Sequence, residues 1–373
     1  VGPEGRVPST RPETKDRGMN PDRPRSFPLN TWYMAAWADE VSDNLLARRL
    51  LDVPVVLFRR DDGTPVALHD RCPHRFAPLS MGKRLADGIE CLYHGLRFAS
   101  SGACVANPGG RGQFPPNLGT RGFPLVERHR ILWIWPGDPQ AADDSLIPDL
   151  APRMPAPGGF ENLGNYLHVK VNWLLETDNI MDLTHVSFLH DGSLGNATMR
   201  SGEIAVQEND GKVRAELVLP GTIGGYGPML GQPCDQWLNV EWMAPATMIL
   251  DFGAVPPGEP RIQSEDGYAF HIFTPETEGT THYFFGSSGS YGQEDGWKAD
   301  FIRNAQRSVF TSEDNPILEA IEERMEGREF WSLHPGILPS DAAAIRVRRR
   351  VAQMCRAEQD GGHRVAADMV GAE

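Results

Sequence analysis

Arg71-Cys72-Pro73-His74-Arg75 and, with sixteen residues between His74 and Cys91, Cys91-Leu92-Tyr93-His94-Gly95 decide how the first part of this chain is read. Each segment offers one thiolate and one imidazole from a loop punctuated by Pro or Gly. Zinc favours pairs spaced C-x2–4-C or H-x3–5-H, which grip a single ion tetrahedrally. A [2Fe–2S] cluster uses a mixed set differently: both thiolates bind one iron and both imidazoles the other, which raises the potential above that of an all-cysteine cluster. The implied chemistry is a one-electron carrier, with a zinc site and a chance grouping as the competing readings.

The surrounding sequence suits such a module. Short apolar runs at Val55 to Phe58, Val66 to His69 and Ile131 to Trp135 are separated by Gly, Pro and Asp, which predicts short strands joined by tight turns. All four ligand positions, together with Pro73, Arg75, Tyr93 and Gly95, resemble the motif of the Rieske family. That resemblance implies an all-β [2Fe–2S] domain, assigned here to residues 27–150, with Cys72, His74, Cys91 and His94 holding the cluster.

Past the Pro-rich stretch at 147–157 the pattern changes. A helical segment is predicted near 172–190, strand-like runs at 202–219, 237–255 and 268–287, and charged helices at 297–328 and 341–358. The fold class expected is therefore α+β, with residues 151–373 forming an antiparallel sheet flanked by helices. Asp182 and His185 are three apart and share a face of a helix. His185 and His190 are five apart, so they meet at one ion only if the helix breaks, a break expected near Ser187. Two histidines and a carboxylate with open positions suit non-haem Fe(II), which leaves room for O2 beside a substrate.

Taken together, the two clusters resemble the oxygenase subunit of a Rieske non-haem iron oxygenase over about residues 28–358. The resemblance implies His185 and His190 as iron ligands, Asp182 as a carboxylate bonded to His185, and Asn179 as an amide near the iron. It also implies a third ligand on a C-terminal helix, for which Asp314 is chosen and Glu313 is the alternative. In such enzymes the carboxylate reaches the Rieske histidine of a neighbouring subunit, so electrons would pass from His94 through Asp182 to His185 in a head-to-tail trimer.

The segments Asn107-Pro108-Gly109, Trp133-Ile134-Trp135-Pro136-Gly137 and His271 to Thr277 resemble the vanillate and dicamba O-demethylase branch. That implies oxidative removal of an O- or N-alkyl group from an aromatic compound. Hydroxylation of an aryl methyl group or ring, and a non-catalytic electron-transfer protein, are the alternatives. Approximate alignment puts substrate-pocket positions at Met243, His271 and Ala305, of which only His271 offers a strong hydrogen-bonding group. A neutral aromatic ether or N-alkyl anilide fits such a pocket better than a carboxylate does.

Composition excludes other classes. With 36 Lys and Arg against 50 Asp and Glu the net charge is −14, unsuited to binding a phosphate backbone, so no nucleic-acid partner is expected. No apolar run reaches the length of a membrane span, and no G-x-G-x-x-G element follows a strand. NAD(P)H must then act indirectly, through a ferredoxin or flavin reductase. Five cysteines are a sparse, odd set that fits the cytoplasm, with Cys104, Cys234 and Cys355 read as buried thiols. Residues 1–26 have almost no large apolar side chain and are expected to be a disordered tail in which Met19 is a candidate start.

Overall fold

Alternation along the strands builds the N-terminal half. In a computed structural model, residues 26–154, 159–195, 197–222, 233–261, 266–292, 304 and 306–370 are described. The expected tail, Met19 included, lies outside them except for Ser26. Eleven short strands follow: β1 (Tyr33–Trp37), β2 (Leu46–Leu50), β3 (Val53–Arg59), β4 (Pro65–His69), β5 (Lys83–Leu85), β6 (Gly88–Glu90), β7 (Arg97–Ala99), β8 (Cys104–Ala106), β9 (Gly122–Phe123), β10 (Leu125–Arg128) and β11 (Ile131–Ile134). They form three antiparallel sheets, ordered β1-β11-β10, β2-β3-β4-β9 and β5-β6-β7-β8.

The unbroken apolar run in β3 is explained by what lies on each side. Val56 and Phe58 point into a small core that contains Cys72 and Cys91, whereas Val55 and Leu57 point into the main core of the molecule. β11 divides likewise: Trp133 joins an aromatic layer with Trp32, Trp37 and Trp135, and Leu132 and Ile134 join the main core.

The second half is a seven-stranded antiparallel sheet of β12 (Gly159–Val169), β13 (Glu203–Asn209), β14 (Lys212–Thr222), β15 (Cys234–Met243), β16 (Thr247–Val255), β17 (Gly267–Pro275) and β18 (Thr281–Gly292), ordered β12-β18-β17-β16-β15-β14-β13. Each strand-like run expected from the sequence is a hairpin, except that β15 begins at Cys234, before its run. Asp210 and Gly211 make the first turn with positive φ of 49° and 77°, as the Asp-Gly pair favours. Helices α1 (Trp173–Met181), α2 (Asn315–Met325) and α3 (Ala342–Val370) accompany the sheet. Among the described residues no helix is long and apolar enough to cross a membrane.

The two halves are joined firmly. Leu51 and Asp52 donate backbone hydrogen bonds to Pro275 and Glu276 at 2.8 and 2.9 Å. The Trp37 indole donates to the Asn165 carbonyl at 2.9 Å, and the His282 Nε2 bonds the Arg49 carbonyl at 2.7 Å. The aromatic layer of Trp32, Trp37, Trp133 and Trp135 packs on Phe270, Ile272 and Phe284 of the large sheet. At about 1.5–3 kcal/mol per fully buried large apolar side chain, this contact fixes the halves relative to each other. All five cysteines are free, but of the three read as buried thiols only Cys234 is fully buried; Cys104 and Cys355 are partly exposed at the edges of their cores.

Candidate metal centres

The first site sits on two loops of matching construction. One loop joins β4 to β5 and the other β6 to β7. Cys72 accepts at its carbonyl from Phe76 N–H at 2.8 Å, and Cys91 from Gly95 N–H at 3.0 Å. Phe76 and Gly95 both adopt positive φ, 62° and 69°, so each loop closes on its cysteine. Asp70 braces the first loop by accepting from the Ser80 N–H and hydroxyl, each at 2.6 Å.

The donors sort by type. Cys72 and Cys91 are buried together, and their thiols interact directly. His74 and His94 are exposed, with ring centroids 4.5 Å apart. Burial pushes the Cys72 thiol up, while N–H groups of His74 and Arg75 directed at its sulfur act the other way. The four donors do not close around a point as a tetrahedral zinc site requires. Among the described residues, the one group of three or more His, Cys, Asp or Glu donors lying within 4.8 Å of one another is elsewhere. Paired sulfurs inside and paired imidazoles outside fit a two-iron cluster.

That other group is His185, His190 and Asp314. Asn172 caps α1 by accepting from Leu174 N–H at 2.9 Å. The helix ends at Met181, earlier than the break expected near Ser187, and Asp182 is already extended. A single turn at His185–Ser187 then leads to His190. His185 Nε2 lies 3.2 Å from His190 Nε2, and Asp314 Oδ1 lies 3.7 and 3.3 Å from these two nitrogens.

Both remaining ring nitrogens are occupied. His185 Nδ1 donates to the Asp182 backbone carbonyl, and His190 Nδ1 is 2.7 Å from Glu313 Oε2, which also accepts from the Ser193 hydroxyl at 2.8 Å. These bonds turn both Nε2 atoms toward Asp314, the arrangement that orients imidazole ligands. One expectation changes and one alternative falls away. The Asp182 carboxylate does not bond His185; it accepts from the Thr184 N–H and hydroxyl at 2.8 and 2.6 Å. Glu313 braces His190 from behind and stands outside the donor trio.

Asp314 is delivered by a wide π-turn, Phe310–Asp314, at the entry to α2, and it accepts from the Asn179 amide at 3.0 Å. Burial holds the His185 pKa low, helped by the neighbouring His190. Burial opposes protonation of His190 as well, but bonds to Asp314 and Glu313 carry its pKa upward. Glu176, which sequence reasoning missed, is 2% exposed, and its Oε1 has no hydrogen-bond partner. Burial, with the nearby Asp314 and Glu319 charges, pushes its pKa up to about 8, so it is largely a neutral acid at pH 7. Its one signal is an acid among the apolar residues that open α1.

Strand parity sorts the expected pocket residues. Trp242, Met248, His271 and Phe285 form one cross-strand row, and the Phe310 ring packs over His271 and Phe285 at 5.4 and 5.1 Å. His271 Nδ1 is 2.6 Å from the Tyr283 hydroxyl, and burial lowers its pKa to about 4. Met243 belongs to the next row, with Thr247, Ile272 and Phe284, and packs in the aromatic layer on the other face. It therefore shares no pocket with His271, and Met248 holds the position expected of it. Ala305 lies outside the described residues.

Comparison with known proteins agrees with this layout. Residues 31–116 match the Rieske [2Fe-2S] domain, and residues 169–357 match the vanillate O-demethylase oxygenase C-terminal domain. The chain is 39% identical to the dicamba O-demethylase oxygenase component of Stenotrophomonas maltophilia, covering 88% of this chain and 98% of that one. It is 38% identical to the chloroacetanilide N-alkylformylase oxygenase component of Rhizorhabdus wittichii, covering 89% and 97%. A crystal structure of dicamba monooxygenase with non-heme iron and dicamba superposes with a TM-score of 0.78 at 38% identity, over 90% of this chain and 99% of that one. The chain thus belongs to the Rieske non-haem iron oxygenases, as an oxygenase component whose [2Fe–2S] domain precedes a catalytic domain of the vanillate O-demethylase type.

Proposed function

We propose that this chain oxidatively removes an O- or N-alkyl group from a substituted aromatic compound, with O2 as co-substrate and electrons drawn from NAD(P)H through a ferredoxin or flavin reductase. The observation that carries the reading is the convergence of His185 Nε2, His190 Nε2 and Asp314 Oδ1, with both Nδ1 atoms anchored from behind. Cys72, Cys91, His74 and His94 would hold the cluster; His185, His190 and Asp314 would hold the iron. When bound, the cluster supplies single electrons and the iron activates dioxygen.

The protein's share is positioning and exclusion of water. Asp314 and His190 are buried, and Phe310, Tyr283 and Phe285 wall the space beside them. The overall change consumes O2, two electrons and two protons. An alkyl C–H becomes C–OH, the second oxygen leaves as water, and the hydroxylated carbon separates as an aldehyde from the free phenol or amine.

The reading takes 27–150 as the electron-donating part and 151–373 as the oxygenating part, a division supported by β12 opening the large sheet at Gly159. It also takes the working form to be a head-to-tail homotrimer, because heterologous contacts must close into a ring. The partner subunit's His94 would deliver electrons beside Asp182, whose side chain, among the described residues, is bonded only within its own turn. Exposed Phe76, Leu92 and Tyr93 around the imidazole pair, and exposed Phe188 beside His185, are apolar surfaces suited to such a contact. Free cysteines throughout support a cytoplasmic setting.

The test is reconstitution with a reductase and NADH on a panel of methoxy- and N-alkyl-aromatics. Aldehyde release matched to oxygen uptake is expected. Ring diols or benzylic alcohols without aldehyde would overturn the dealkylase reading in favour of simple hydroxylation.

A further inference from the structure

The wall that carries His271 holds three enclosed polar atoms without a partner: His271 Nε2, Ser287 Oγ and Gln306 Oε1. Their residues are 2%, 0% and 8% exposed. A buried polar atom is costly to leave unpaired, so three together mark a place where bound matter supplies the partners. The fold brings the elements that carry them together. His271 is paired with Phe285 and Ala269 with Ser287, which makes His271 and Ser287 diagonal neighbours on one sheet face. Gln306 stands one helical turn before Phe310, whose ring covers His271 and Phe285.

Donor and acceptor roles follow from economy. If the Tyr283 hydroxyl donates to His271 Nδ1, only one group, Nε2–H, is left unsatisfied. The opposite arrangement strands both the Tyr283 O–H and a ring lone pair. Nε2–H is therefore a donor, the Ser287 hydroxyl can donate, and Gln306 Oε1 accepts. The neighbours on the same face, Trp242, Met248, Leu250 and Ala269, carry no charge.

We propose that His271, Ser287 and Gln306 together recognise an uncharged amide on the aromatic substrate, the first two donating to its carbonyl oxygen and Gln306 accepting its N–H. A carboxylate offers no hydrogen to Gln306 and, among the described residues of this sheet face, meets no cation, so it is rejected. This rests on the dealkylase reading and names the substrate class for it.

Matched probes separate the two. Holoprotein is titrated under argon with 2-methoxybenzamide and 2-methoxybenzoate in a calorimeter, and the same pair is then turned over with reductase and NADH. The amide is expected to bind at least about tenfold more tightly. Gln306→Leu is expected to narrow that ratio about fivefold and Ser287→Ala to weaken amide binding about fivefold, while cluster absorbance and iron content stay unchanged, with Gln306→Met as the substitute should the Leu variant not fold. Equal or tighter binding of the carboxylate, a ratio untouched by Gln306→Leu, or amide binding untouched by Ser287→Ala overturns the proposal even when formaldehyde is released. Absence of formaldehyde from both probes counts against O-demethylation and leaves the binding ratio to decide the recognition.

Discussion

The two donor sets of this chain are built on opposite plans. In the N-terminal site the sulfurs are buried and the imidazoles of His74 and His94 stand in the open; in the C-terminal site His190 and Asp314 are enclosed and only an edge of His185 is reached by solvent. An electron carrier works by letting its ligands approach another surface. An oxidising centre works by keeping water away from the reacting carbon. The loops follow suit: the first site lies on exposed tips braced by Asp70 and Ser80, the second where a helix end, a π-turn and a sheet face meet.

Removing one centre while sparing the other tests that contrast most severely. Asp314→Ala is expected to lower turnover at least a hundredfold, with the iron content falling from about three to about two per chain and the visible spectrum unchanged. Cys91→Ser should do the reverse, bleaching the spectrum. Mixed in equal amounts and reassembled, the two inactive variants are expected to recover about a quarter of the wild-type rate per chain. Half of the chains keep the iron site, and half of those receive a partner with a working cluster. Recovery near zero would confine electron transfer to a single chain and break the trimer reading.

Asp182→Asn comes next. Because the carboxylate bonds Thr184 and not the His185 ring, both metals should remain while turnover falls about ten- to a hundredfold. Loss of iron in this variant would mean that the residue shapes the iron site itself.

What the sequence revealed and what it hid follow the same divide. Cys72, His74, Cys91 and His94 are local pairs in two turns, so spacing alone displayed them. His185 and His190 were equally visible, but the chain geometry between them was not, because the helix stops at Met181 and the Asp182 carboxylate is captured by Thr184. Asp314 and Glu313 are adjacent acids more than a hundred residues away; which one joins the histidines depends on a π-turn that no apolar period announces. Met243 failed through parity. Side chains alternate along a strand, so a small shift across the β15–β16 hairpin moves a residue from the His271 face to the aromatic layer. Glu176 stayed hidden because its neutral form is a product of burial among distant partners.

The seam between the two halves gives a smaller, pH-dependent effect. His282 is 4% exposed, bonds Tyr166 and the Arg49 carbonyl, and burial lowers its pKa from 6.5 to about 4. Between those values the unfolded chain takes up a proton that the native one does not. Stability is therefore lost as pH falls from about 6.5 to about 4, by up to about 3 kcal/mol. His282→Gln should show a shallower acid loss in urea unfolding over that window. Cluster absorbance and far-ultraviolet dichroism should fall together in both proteins if the halves unfold as one unit; separate midpoints would show that the exposed electron-carrying site sits on an independent module.

The smallest effect on stability is expected at the tip of that module. Leu92 is 72% exposed between Cys91 and Tyr93, so Leu92→Ser should change the unfolding free energy by no more than about 0.5 kcal/mol. If the tip docks against the surface near Asp182 of a neighbouring chain, the same substitution slows cluster reoxidation by substrate-loaded enzyme a few-fold, with iron content and spectrum unchanged. A paired loss of stability and rate would make Leu92 part of the fold. A rate loss alone makes it part of the contact, and no change in either places the docking surface away from the loop that carries His94.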